Sequence, residues 1–168
     1  MNLVLPCEKY KEQYYKLVDS AIKNKDVKEM GNAYRSGESY QDMLKRLENR
    51  RKGIEINNRD VPATVYFIID NKKIVGTIDL RHELNDNYFS RLGHVAYYIK
   101  PEERKKGYAT KALSLALEKY KKHKIEKVLI TCLEDNIASR KVIEKKWWQA
   151  WKVILWWYYQ KIYSKILD

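Results

Sequence analysis

His94-Val95-Ala96-Tyr97-Tyr98-Ile99-Lys100-Pro101-Glu102-Glu103-Arg104-Lys105-Lys106-Gly107-Tyr108-Ala109-Thr110 is the stretch that decides how this chain folds. His94 to Ile99 is rich in β-branched and aromatic residues and predicts a central strand. Lys100-Pro101 stops it. From Ala109 to Lys122 the residues Ala109, Ala112, Leu113, Ala116, Leu117 and Tyr120 fall on one helical stripe. The turn between them has the form Arg-x-x-Gly-x-Ala. Gly107 can take a positive φ and lets a ligand approach the backbone. The first N–H groups of the helix have no intrahelical partners, point into the loop mouth and favour an anion. Arg104, Lys105 and Lys106 add positive charge. This chemistry predicts a phosphate or pyrophosphate ligand, although a plain basic loop at a helix start would use the same residues. The loop is not a Walker A motif, because no Gly-Lys-[Ser/Thr] closes it. It is not a dinucleotide fingerprint, because it holds one glycine.

Working outward, Thr64 to Ile69 and Ile74 to Leu80 read as an antiparallel hairpin about the turn Asp70-Asn71-Lys72-Lys73. Leu84 to Gly93 reads as a polar loop. Lys127 to Leu133 is a buried strand, and Asn136 to Lys146 a helix. Upstream, Leu3 to Leu5 predicts a short strand. Glu8 to Lys25 predicts a helix with Tyr10, Tyr14, Leu17, Val18, Ala21 and Ile22 on one face. Gly31 to Gly37 is a loop. Ser39 is an N-cap for a second helix carrying Tyr40, Met43, Leu44 and Leu47. Two helices, a strand meander, then strand–helix–strand–helix give an α/β (α+β) chain with a mixed, mostly antiparallel sheet flanked by helices.

The chain has 168 residues, which fits a single domain over 1–168 with an adequate core. Its parts are an N-terminal region 1–60, a core 61–146 and an atypical segment 147–168. Cys7 and Cys132 form no Cys-x-x-Cys pair and no zinc pattern with the three histidines, so no metal site is expected. No run of 18 apolar residues and no signal-like N-terminus occurs, so a cytoplasmic protein without membrane contact is expected. The net charge is +12, from 34 basic and 22 acidic side chains. It is spread over every helix, and no RNP, KH, zinc-finger or basic-zipper pattern accompanies it, so a nucleic-acid partner is not expected.

The segment resembles the acetyl-CoA-binding signature of the GNAT family of N-acetyltransferases. The resemblance rests on Tyr97-Tyr98-Ile99, Pro101 and Arg104-x-x-Gly107-x-Ala109. It continues in Asn136-Ile137-Ala138-Ser139, similar to the family's second signature, and in the hairpin with Val75-Gly76. It implies splayed strands four and five, with acetyl-CoA as cosubstrate between them. Tyr97, Tyr98 and Ile99 would pair with the pantetheine arm. Arg104, Lys105, Lys106, Gly107, Tyr108 and Ala109 would wrap the pyrophosphate, and Asn136 and Ser139 would contact the cofactor. The implied reaction is acetyl transfer to a primary amine, of a small molecule or of a protein. An inactive acyl-CoA-binding module is the other reading.

Many relatives carry a Tyr seven residues after the Asn to protonate the leaving thiolate, and here Ile143 stands there. His94 and Asp79 are the candidate bases, with Arg81 and His82 close to Asp79 in sequence. Each also fits a satisfied structural role. Glu134 reads as a helix cap, Cys132 as core, and His123 as a cation at a helix end. The acidic residues Glu38, Asp42 and Asp86 lie in regions that select the acceptor in this family.

All five tryptophans lie between 147 and 157. Trp has the single codon TGG, and starting the reading frame one base later turns each Trp into Gly. We read the segment as the product of a frameshift near Lys145-Lys146. Sequencing the encoding DNA tests this, and a neighbouring frame without a family-like continuation would sink it. A genuine aromatic tail would instead form a strand pair within Trp147 to Tyr159, or a homodimer surface.

Overall fold

The computed structural model describes residues 1–125, 127–147 and 153–158, with Trp147 and the last stretch described through the backbone. Ten regular elements follow in chain order among them: β1 (Asn2–Val4), α1 (Lys11–Lys23), α2 (Tyr40–Lys52), β2 (Ala63–Asp70), β3 (Lys73–Arg81), β4 (Val95–Ile99), α3 (Tyr108–Lys122), β5 (Val128–Leu133), α4 (Ile137–Trp147) and β6 (Val153–Tyr158). β1 to β4 form one antiparallel sheet in that order, and β5 pairs with β6 in a second ladder.

The helices start and stop where local chemistry directs. The Ser39 hydroxyl accepts from the Asp42 N–H at 3.1 Å and caps α2. The β2–β3 turn takes left-handed φ at Asn71 (46°) and Lys72 (63°), which matches the twist of a tight hairpin. The first helix is shorter than its apolar spacing suggested, because Glu8–Tyr10 is a 3-10 turn. The segment 84–93, read as a polar loop, holds a π-helical turn at Tyr88–Leu92. That turn forms because Tyr88 is buried and its hydroxyl bonds Asp60 at 2.7 Å, which pulls the chain inward.

Two apolar layers sandwich the sheet. On one face α1 and α2 bring Tyr14, Leu17, Tyr40 and Met43 against Phe67, Val65 and Tyr98. On the other, α3 lays Ala112, Leu113 and Ala116 against Ile78, Val95 and Ile99. The alternation along β4 follows from the period of two in a strand, with Tyr98 on one face and Ile99 on the other. Helices thus cover much of both faces of the sheet, and β4 presents an edge on the side away from β3.

Of the tail, the described residues hold one strand. Val153–Tyr158 is a single strand, parallel to β5 in the register Val128↔Val153 to Leu133↔Tyr158, after the α4 crossover. Residues 148–152 and 159–168 lie outside the described residues, so the rest of the expected strand pair, and the frameshift reading with it, falls there.

Candidate active site

The site is built on the way β4 leaves β5. At their near ends the two strands are tied: the His94 N–H donates to the Leu129 carbonyl at 2.7 Å, and the Leu129 N–H donates to His94 Nδ1 at 2.9 Å. Gly93 makes this approach possible. It sits at φ 60°, and a Cβ there would lie 2.6 Å from the Leu129 oxygen. Beyond His94 the two strands share no ladder, since β4 pairs with β3 and β5 with β6. The Arg81–His94 and Lys100–Val75 hydrogen bonds set the parity of the β3–β4 ladder. By alternation, the N–H and C=O groups of Val95, Tyr97 and Ile99 point away from β3, into the gap. Arg104 Nε takes the Ile99 carbonyl at 3.0 Å. The Tyr97 amide groups and the Ile99 N–H remain as a short edge that an extended, amide-bearing ligand can extend.

The gap opens onto the loop before α3. Lys105 (φ 63°) and Gly107 (φ 81°) both take left-handed conformations, and Gly107 occupies the N-cap position with no side-chain cap. The first N–H groups of α3 thus face the loop mouth unpaired. No atom lies within 4 Å of a Cβ built on Gly107, so the mouth is open. The side chains around it divide the work. Arg104 bonds Ile99, pairs with Asp26 at 2.6 Å and lies over the Tyr98 ring, which pins the loop to the end of β4. Tyr108 bonds Asp70 at 2.9 Å. Lys106 pairs with Glu103 at 2.8 Å in an exposed contact that exchanges readily. Lys105 has no ion-pair partner among the described residues. On the other side, Asn136 Oδ1 accepts from the Ser139 N–H at 3.0 Å and caps α4, the role expected of Glu134. The Tyr97 hydroxyl is buried beside Ser139, and burial pushes its pKa up to about 12, so it stays protonated.

The Acetyltransferase (GNAT) domain family matches residues 8–146. The chain belongs to the GNAT acetyltransferase family. No curated protein and no solved structure matches it significantly. The family match stops at Lys146, immediately before the first tryptophan. It covers both helical layers and the whole of the gap and loop, so the strand tie at His94 and the uncapped start of α3 are features of a GNAT acetyltransferase.

Within this GNAT domain the two candidate bases are held by the protein. His94 is 9% exposed, with its ring edge-on to Tyr120. A backbone N–H donates to Nδ1, so that lone pair is occupied and the neutral ring carries its proton on Nε2. Burial lowers its pKa to about 4. Its geometry fits a tie between strands. The sign of the linkage follows: a histidine depressed from about 6.5 contributes stability above its unfolded pKa and loses it as pH falls toward the folded value. We expect the denaturation midpoint to drop between pH 6.5 and 4, with roughly 2–3 kcal/mol at stake. In His94→Gln, urea titrations across this range should show a much flatter slope. An unchanged slope would remove His94 as the source.

Asp79 accepts from Arg50 at 2.8 Å and from Asn32 at 3.2 Å, with Arg81 at 3.8 Å. His82 is an exposed residue whose Nε2 lies 2.8 Å from the Thr64 hydroxyl. Cys132 packs against the α3-side core, and burial raises its thiol pKa. Ile143 is 2% exposed in the same core. Beside α2, Glu38 is clamped by Arg46 through two 2.6 Å bonds, and Asp42 is held by Ser39. Both line a cleft of about 350 Å3 beside α2, which also takes in Arg35, Lys45 and Asn49. The acidic charge that could have attracted an amine is thus already neutralised at Glu38.

Sequence reasoning missed the centre of this side of the molecule. Arg50 is 2% exposed and holds Asp60 through two bonds, at 2.9 and 3.0 Å, while also binding Asp79. The signal was available: Tyr40, Met43 and Leu47 define the buried face of α2, and Arg50 is the next residue in that series. A charge on a buried stripe requires a buried counter-charge.

Proposed function

We propose that this GNAT acetyltransferase uses acetyl-CoA to acetylate a primary amine of a small molecule. The carrying observation is the gap beyond His94, where an open strand edge leads directly onto an uncapped helix start. Amide-bearing pantetheine suits the Tyr97 and Ile99 edge, and a pyrophosphate suits the N–H groups of Lys105 to Ala109. Lys105 adds a cation, and Arg104 acts by positioning the loop. Asn136 and Ser139 stand at the start of α4 as the facing wall. The cleft of about 350 Å3 beside α2 is of a size that holds small molecules and favours a small acceptor over a protein surface.

Acetyl-CoA supplies an activated thioester. The reaction forms an amide C–N bond, breaks the C–S bond, and leaves a free thiol and one proton. With His94 and Asp79 both occupied, proton removal from the ammonium passes to water in the gap. With Ile143 buried, no side chain of α4 at that position protonates the thiolate, so the sulfur takes its proton from solvent. This chemistry predicts a rate that rises with pH until the amine is deprotonated. Calorimetric titration of acetyl-CoA tests the reading, followed by a thiol-release assay over small amines and peptide amines. Micromolar binding with turnover of a small amine is expected. Binding without turnover of any amine would establish the inactive module instead, and no binding would overturn both.

A further inference from the structure

On the α3 face of the sheet, at the opposite end of α3 from the Lys105–Ala109 loop, lies a second cavity of about 390 Å3. α3 has 15 residues, so its ends stand roughly 22 Å apart. The cavity has a buried apolar floor in Leu80 and Tyr120, with Tyr66 half-buried beside them. Its rim carries Arg51, His82, Lys119 and His123, which arrive from α2, the end of β3 and the C-terminal turn of α3. No carboxylate lines it among the described residues.

Lys119 is the rim charge without a carboxylate partner among the described residues. Arg51 is paired, with Glu48 at 2.7 and 2.8 Å. Lys119 Nζ lies 4.5 Å from the centre of the Tyr66 ring, a position that keeps the ammonium over the cavity floor. His82 uses one ring nitrogen on Thr64. His123 ends α3, its N–H donating to the Lys119 carbonyl at 3.0 Å and its ring lining the cavity. An apolar floor bordered by one unpaired ammonium and two imidazoles, without an acid among the described lining residues, suits an amphiphilic anion.

We propose that this cleft binds a small organic anion, a phosphate or carboxylate carried on an apolar body, at a site separate from the cofactor gap. The body packs on Tyr66, Leu80 and Tyr120, and the anionic head sits among Lys119, His82 and His123. Burial, His123, Arg50 and Arg51 hold the His82 pKa down, while Asp79 raises it. An anion offsets those cations, so its binding raises the His82 pKa and tightens as the pH falls.

The test is histidine NMR on the full chain, titrated separately with phenyl phosphate, benzoate and inorganic phosphate. A saturable shift of the His82 and His123 signals by at least one aryl anion is expected, and the two aryl probes tell which head group is preferred. The double variant Lys119→Met/His123→Gln, altered at two surface positions, should lose about tenfold or more in affinity and keep its thermal midpoint. Acetyl-CoA should not displace the probe. Absence of a saturable shift, displacement by acetyl-CoA, or wild-type affinity in the double variant would each overturn the proposal. Inorganic phosphate binding as tightly as the aryl anions would overturn the role of the apolar floor.

Discussion

Gly107→Glu is expected to lower acetyl-CoA affinity at least about a hundredfold while the fold survives. Gly107 sits at φ 81°, and a non-glycine residue there costs about 1 kcal/mol, which a domain of this size tolerates. No steric cost adds to it, because a Cβ at this position has no atom within 4 Å. The effect on binding comes from charge. A glutamate at the N-cap position brings a carboxylate to the N–H groups that open α3, and it can cap them itself. The pyrophosphate then loses those donors and meets a like charge. Two hydrogen bonds to a charged group, each worth roughly 1.5–3 kcal/mol, account for the hundredfold. Gly107→Ala separates the two causes: it carries the backbone cost without the charge and should bind within a few-fold of wild type. Calorimetry gives the affinities, and thermal unfolding confirms that both variants fold. If Gly107→Glu bound acetyl-CoA as wild type does, the loop would not be the anion site, and the gap reading would fail with it.

The turn that opens α3 was legible because each of its parts is local. The α3 stripe, the single glycine and the missing cap all lie within 30 residues of His94 and follow from short-range rules. Ser39 was legible as a cap for the same reason. What the sequence hid depends on partners far along the chain. The contacts of Arg104 with Asp26 and the Ile99 carbonyl were not readable, because Asp26 lies 78 residues away. His94 looked like a base at a strand start, and its role comes from Leu129 on a strand that follows a whole helix later. The turn Tyr88–Leu92 looked polar, and Asp60 is what draws it in. Polar residues announce their chemistry in a sequence, but not whether another part of the chain has already met it.

Arg50→Met is expected to destabilise the protein by about 3–5 kcal/mol, which for a chain of this size lowers the thermal midpoint by roughly 10 °C. The guanidinium joins α2, the segment before β2 and the middle of β3, through Asp60 and Asp79. Its side chain is 2% exposed, Asp60 is 12% and Asp79 is 8%, so water cannot replace it. Methionine fills similar volume and leaves two carboxylates in a dry site. Asp79 then keeps only Asn32 and the more distant Arg81, and Asp60 keeps Tyr88 and the Val61 N–H. Arg50→Lys should recover only part of the loss, since one ammonium cannot make the forked contact with Asp60 and still reach Asp79. The acid limb carries a second signature. Burial raises the Asp60 pKa, but the Arg50 and Tyr88 hydrogen bonds outweigh it and leave the group below its ordinary value. Such a carboxylate stabilises the fold above its unfolded pKa, and the contribution is lost as pH falls through the folded one. Without Arg50 that depression is largely lost and Asp60 takes up its proton more readily, so Arg50→Met should begin to unfold at a higher pH than wild type. Adding Asp79→Leu removes one stranded charge, and the double variant should be more stable than Arg50→Met alone. Urea midpoints at neutral and acid pH measure all three effects. An Arg50→Met midpoint equal to that of wild type at both pH values would mean that water reaches these carboxylates, and that the layer beneath the acceptor cleft is not the closed ion network that its geometry describes.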